Sequence, residues 1–459
     1  MAGRTFAENS VLFLRRVGLN RAVGYGVLTR LWSLAAGPIT LLVIASRFSV
    51  EQQGFYYTIS SLLALQVFFE LGLMYVISQF VSHEFVSLAW GAGGQISGDM
   101  YSLGRLTALL GKSVKWFAVA SALLIVIFIP AGLVFFNLRH AEAGFDWQLP
   151  WILAVCGTAL NLMAVPFMAT VNGSGEVAAV NRREMLGAVT GSVLSWLVIG
   201  CGGSLYAVFA VTTGNAVISW YWLLREKPAL LSLAWQQLFA AKGSDRIDWW
   251  KEVWPMQWKM ALSFASSYFM FQLFTPVLFH YRGAVEAGKM GMSLSVSNAL
   301  LAASASWMSA RYPEFGKITA RREWGNLDRM FFLSFWQSMF VVITGAVVGW
   351  AAVSGLQEWY PRLGQRFIPG KQAALLFGAV CVQIAVNSFA TYLRAHKQEP
   401  LVVVTVAASI VQGGATWYLG MKYGTLGVTT GFLAVNLLLV LPAVYLIWQR
   451  CRREWHMTP

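Results

Sequence analysis

The chain has 459 residues, of which 57% are hydrophobic and only 12% charged, with a net charge of +14. A soluble domain carries about 25% charged residues, so this composition, with a mean hydropathy of +0.58, excludes an ordinary soluble enzyme and makes lipid the solvent. The four cysteines, Cys156, Cys201, Cys381 and Cys451, show neither CxxC spacing nor a disulfide framework.

Taken in chain order, the sequence predicts about twelve apolar segments, at 24–46, 54–80, 112–136, 149–172, 184–201, 203–224, 255–281, 288–311, 329–350, 372–394, 400–420 and 425–448. Each is close to the roughly 20 residues that a bilayer-crossing helix needs. The expected fold is therefore all-α and polytopic, with about 12 transmembrane helices in two pseudo-symmetric six-helix bundles. Residues 1–23 form an N-terminal segment with five charges and no cleavable signal peptide. It reads equally as an amphipathic interfacial helix or as a short tail. Residues 24–224 make an N-lobe, 225–254 a linker, 255–448 a C-lobe and 449–459 a tail.

Lys and Arg fall about threefold more often in loops on the side of both termini, which places the termini in the cytoplasm by the positive-inside rule. The basic excess is thus topological and argues against nucleic acid. The chain also repeats itself. Arg47, Val50, Glu51, Ser60, Ala64 and Leu65 recur at one fixed offset as Arg282, Val285, Glu286, Ser295, Ala299 and Leu300, and VTTG occurs at 211–214 and again at 428–431. Two halves with the same membrane orientation account for this. In the linker, ALLSLAWQQLFAAK predicts an interfacial helix, and Trp249, Trp250, Trp254 and Trp258 read as an aromatic belt.

Charged groups inside the spans are where function is sought. Arg30 lies about two turns into the first span. It reads as a cation awaiting an anionic substrate, as a snorkelling side chain, or as the partner of Glu70 at similar depth in the second span. Lys259, early in the seventh span, faces no carboxylate in the eighth, where the position equivalent to Glu70 is Ala305. Lys259 is the first choice for a phosphate contact. Pro38 and Pro276 fall in corresponding spans and are hinge candidates, because proline removes a helix hydrogen bond. Arg47 and Glu51, with Arg282 and Glu286, read as helix-end or outer-gate charges at the mouths of equivalent hairpins. Neutral polar residues recur in the spans, among them Asn161, Asn215, Gln257, Gln383, Asn387, Gln412 and Asn436. Interhelical hydrogen bonds explain most of them, and their abundance suits a hydrated cavity for sugar hydroxyls.

The two six-helix halves, with GFYYTISSLLALQVFFELGLMYVISQFVSHE at 54–84 and PMQWKMALSFASSYFMFQLFTPVLF at 255–279, resemble Wzx-type lipid-linked oligosaccharide flippases. These belong to the multidrug/oligosaccharidyl-lipid/polysaccharide (MOP) exporter superfamily. The resemblance implies a V-shaped pair of MATE-like bundles around a cavity lined by helices one, two, seven and eight. It also implies a transporter that moves a polyprenyl-pyrophosphate-linked oligosaccharide from the cytoplasmic to the outer face of a bacterial inner membrane. The expected partners are the lipid-linked glycan, membrane lipids and other polysaccharide-biosynthesis proteins. No cofactor is expected beyond a coupling proton or sodium ion, for which Glu70 is the candidate. A cation-coupled exporter of small amphipathic drugs shares the fold and is the alternative. A glycan polymerase or glycosyltransferase is disfavoured, because the outer loops are too short to carry a catalytic site.

Overall fold

The computed structural model describes residues 21–91, 94–140, 144–239, 247–396 and 398–457. Most of the N-terminal segment expected at 1–23 lies outside the described residues.

The first helix, α1 (Arg21–Arg47), runs unbroken through Pro38. Ser49 then opens α2 (Val50–Leu63). Its hydroxyl accepts from the Gln52 amide at 3.0 Å, and the Gln52 side chain accepts from the Ser49 amide at 2.9 Å. This capping box satisfies two amides that the helix itself cannot. The second span then breaks. A 3-10 turn over Ala64–Gln66 leads into α3 (Val67–Glu70), Leu71 and Gly72 both adopt left-handed backbone, at φ 50° and 66°, and α4 (Leu73–Glu84) continues at a bend of 42°. Glycine takes this conformation freely, whereas at Leu71 it costs roughly 1–2 kcal/mol.

A short antiparallel pair follows, β1 (Leu88–Trp90) and β2 (Ile96–Gly98), with Leu88 opposite Gly98. Next come α5 (Met100–His140), α6 (Gln148–Gly173), α7 (Val177–Gly200), α8 (Tyr206–Glu226) and the linker helix α9 (Pro228–Phe239). Arg105 and Lys112, expected in a loop, lie within α5, because that helix begins well before its apolar stretch. After a π-turn at Trp249–Val253, the seventh span is α10 (Trp254–Phe271) and α11 (Phe274–Arg282), bent by 45°. The chain closes with α12 (Ala284–Ala320), α13 (Trp324–Trp359), α14 (Pro361–Gly364), α15 (Gly370–Ala395), α16 (Val402–Ala434) and, after a second π-turn, α17 (Leu441–Met457).

Among the described residues, seven helices are long and apolar enough to cross a membrane, or nine if each bent pair is one span. Helices α7 and α12, of 24 and 37 residues, have the length but not the hydropathy. The run Asn181–Glu184 dilutes the first and a series of serines dilutes the second. Gly424, at φ 62°, divides the last long segment in two. Counted this way, the segments match the expected twelve. The architecture is all-α and polytopic.

The described helices group into two compact units, one made by residues 21–36 and 66–261, the other by residues 37–65 and 262–457. In the first unit, glycines let helices approach closely. A Cβ at Gly157 would stand 2.5 Å from the Thr212 hydroxyl, and one at Gly187 would stand 2.5 Å from the Asn215 side chain. In the second unit, Phe331, Phe389, Tyr392 and Trp448 form an aromatic core. Beside it Asp328 accepts from Arg452 and from the Tyr392 hydroxyl at 2.8 Å.

This grouping does not follow the expected 24–224 and 255–448 division, because residues 37–65 pack with the second unit. The cause is the seam between α2 and α12. The backbones of Gly54 and Gly288 lie in contact, and Tyr57 covers Gly291. Gln53, fully buried, donates to the carbonyls of Gly288 at 2.9 Å and Arg366 at 3.0 Å. Arg366 in turn donates to the Gln53 side chain and to the Phe48 carbonyl. The separation of Gln53 and Gly288, 235 residues, is also the offset that relates Arg47 to Arg282. Repeat-related positions therefore meet, as residues near a two-fold axis do.

Candidate functional site

Arg30, Glu70 and Lys259 all belong to the first unit. Arg30 is exposed on α1, and Lys259 is exposed about one turn into α10. Just before Lys259, Trp250 and Trp254 pack edge to face at 5.3 Å, and Trp249 stacks on Trp116 of α5 at 6.4 Å. These rings fix the start of the seventh span as an aromatic belt does. Among the described residues no salt bridge reaches Lys259 or Glu70. The Arg30–Glu70 pair is thus not formed. Glu70 is instead the last residue of α3, half-buried, directly before the two left-handed residues that break the second span. Gln257, two residues before Lys259, is fully buried, and both its amide atoms lack a hydrogen-bond partner among the described residues.

Other cations of this unit have partners among the described residues. Arg105 bridges Glu84 at 2.8 Å and Glu252 at 2.6 Å, and Lys112 donates to the Ile247 carbonyl at 2.7 Å. Together they fasten the end of the linker to α5. Lys227, almost fully buried, pairs with Glu176 at 2.8 Å and lies 3.6 Å from the centre of the Trp90 ring. Sequence reasoning counted these residues only as loop charges, because their partners are distant in sequence.

Pro276 sits in α11 just after the 45° bend. Lacking an N–H, it leaves the Gln272 carbonyl without its helical donor, and the Ser61 hydroxyl fills that role. Pro38 stays within a continuous α1, next to the point where the chain passes from one unit to the other.

The repeat-related charge pairs do different things. Arg47 is exposed in the last turn of α1 and Glu51 in the first turn of α2, where each complements the helix dipole. Arg282 donates to the Lys422 carbonyl, and Glu286 accepts from the Thr425 amide at 3.3 Å. These two residues clamp the turn at Gly424; the geometry is that of a staple and not of a gate. Glu286→Gln should lower thermal stability by about 1 kcal/mol, the worth of one weakened hydrogen bond. Melting curves of the two proteins check this, and equal midpoints would remove the staple.

Of the neutral polar residues expected to join helices, Asn161 reaches a neighbouring helix, whereas Gln383 and Gln412 bond within their own. Asn161 donates to the Gly157 and Thr212 carbonyls, and Asn215 and Asn436 bond back to their own helices.

Neither a protein-family model nor a curated protein sequence matches the chain. Solved structures do match. One is described as an inward-facing conformation of a multidrug resistance MATE family transporter of the MOP superfamily. It has a TM-score of 0.66 and 12% identity, over 94% of this chain and 96% of that one. Another is the lipid II flippase MurJ in an inward closed conformation, with a TM-score of 0.59 and 12% identity, over 94% of this chain and 90% of that one. A third is the MATE multidrug transporter DinF-BH, with a TM-score of 0.59 and 12% identity, over 95% and 97% of the two chains. The chain therefore has the fold of MOP-superfamily transporters. At this identity the likeness speaks to the fold alone.

Proposed function

We propose that the protein is an alternating-access transporter that flips a polyprenyl-pyrophosphate-linked oligosaccharide from the cytoplasmic to the outer face of a bacterial inner membrane, with both termini cytoplasmic. The observation that carries this reading is Lys259, an exposed cation in an apolar helix with no carboxylate partner among the described residues. A cation at such a position calls for an anion or for water, and a pyrophosphate headgroup meets the first need. Arg30 in the same unit would share that charge. The likeness in fold to a lipid II flippase is in keeping with a lipid-linked cargo. Pro38 and the break before Pro276 would serve as hinges as the two repeats rock. The partners would be the glycolipid, surrounding lipids and other polysaccharide-biosynthesis proteins.

Deleting the chain in its native host tests the reading. The expected result is loss of surface polymer, with the complete lipid-linked unit stranded on the cytoplasmic face. An unchanged glycan profile would contradict it, and single units gathering on the outer face would point to polymerisation.

A second reading, a cation-coupled exporter of small molecules, draws on Glu70. A half-buried carboxylate at a helix break, with no ion pair among the described residues, is a fit group for a coupling proton or sodium ion. Two of the three similar structures are described as multidrug transporters. Drug efflux from a strain overexpressing the chain, abolished by Glu70→Gln, would favour this reading.

A further inference from the structure

The second unit holds a cavity of about 530 Å³ between α12 and α15, within the range of roughly 300–1,000 Å³ typical of small-molecule sites. We propose that it binds a saccharide rich in hydroxyl donors and carrying an anionic group. That this saccharide is part of the transported cargo rests on the function proposed above.

The wall residues are spaced so that each helix turns one face to the cavity. On α12 these include Met308, Ser309 and Tyr312, and on α15 Asn387, Ser388, Thr391 and Arg394. A hydroxyl has one proton and two lone pairs. Ser388 donates its proton to the Ile384 carbonyl at 2.8 Å and Thr391 to the Asn387 carbonyl at 2.7 Å. What these two hydroxyls leave for a ligand is acceptor capacity, and a ligand that uses it must bring donors. Polyols and sugars do so. Asn387 adds the complementary group, since its side-chain oxygen already accepts from Gln383 at 3.2 Å and its amide N–H groups are left over.

The two ends of the cavity differ. At one end Ala305, Met308 and Ile384 are apolar. At the other, Arg394 uses Nε on the exposed Glu399 at 2.9 Å and keeps its Nη groups for a carboxylate or phosphate. Tyr312, an exposed aromatic residue of the wall at this end, donates its hydroxyl to the Arg394 carbonyl at 3.4 Å. Among the described residues no Asp or Glu is part of the cavity wall, and Glu399 stands at its exposed end paired with Arg394.

The test is saturation-transfer NMR on the full-length protein in nanodiscs, with digalacturonic acid as anionic probe and cellobiose as neutral probe. Wild type should bind both saturably, the acidic sugar more tightly. Thr391→Val keeps the shape of the wall and removes an acceptor, and Asn387→Leu removes the donors. Each should weaken both probes by roughly two- to tenfold, the worth of one hydrogen bond. Arg394→Gln should erase the preference for the acidic sugar. Thr391→Val is nearly isosteric, so it carries the test if Asn387→Leu fails to fold. Absence of saturable binding to wild type, or unchanged binding in the folded variants, would overturn the proposal. The readout involves no transport. Saccharide binding without glycan export would support this site and sink the function proposed above. Glycan export without saccharide binding would do the reverse.

Discussion

Gly54→Ala is expected to destabilise the second unit by about 3 kcal/mol, near the upper end for overpacking. The added methyl would stand 1.9 Å from the Ala284 carbonyl oxygen and 2.5 Å from its carbon. No real Cβ sits so close, and the obstacle is backbone, which cannot rotate aside as a side chain can. The helices α2 and α12 would have to separate. That would disturb the bonds from Gln53 to Gly288 and Arg366 along the same seam. Gly414→Ala is the control. Its Cβ meets nothing within 4 Å, so the change should be neutral or stabilising by up to about 1 kcal/mol through helix propensity. Thermal melts of the two purified variants decide the matter. Equal melting temperatures would mean that the α2–α12 seam is not the close contact described here.

Under the proposed function, Lys259→Ala is expected to lower glycan export by at least about tenfold at unchanged protein abundance. A charge-assisted hydrogen bond to phosphate contributes about 1.5–3 kcal/mol, and removing one made as the cargo moves appears as a rate loss of that order. Lys259→Arg should retain most activity, because the charge remains. Export is read as the ratio of surface polymer to lipid-linked precursor in a strain carrying only the variant. Normal export in Lys259→Ala would reduce Lys259 to a snorkelling residue beside Trp254 and Trp258.

Hydropathy made most of the crossings legible, because a lipid solvent leaves little choice in the sequence of a spanning helix. The sequence also located Pro276 near a real bend and the repeat at offset 235. It did not reveal the break at Leu71–Gly72, since one glycine in an apolar run carries no such signal. Nor did it reveal that residues 37–65 pack with the second unit. That depends on Gly54 facing Ala284 and Gly288, a register that only the folded chain defines. Arg282 and Glu286 were recognised as paired charges, but their partners, at Lys422 and Thr425, lie 140 and 139 residues downstream. Arg366 was one more loop cation until Gln53 and Phe48 stood beside it. Charges at span ends are legible as topology, whereas their work is set by contacts distant in sequence.

The most direct test of the proposed transport is reconstitution. Purified protein is placed in liposomes bearing a fluorescent polyprenyl-pyrophosphate-linked oligosaccharide in the inner leaflet, and the label reaching the outer leaflet is followed by an impermeant quencher. The account predicts transfer well above that of protein-free liposomes, and its loss with Lys259→Ala. Transfer no faster than in protein-free liposomes, from a preparation that moves lipophilic organic cations across the same membrane, would contradict it.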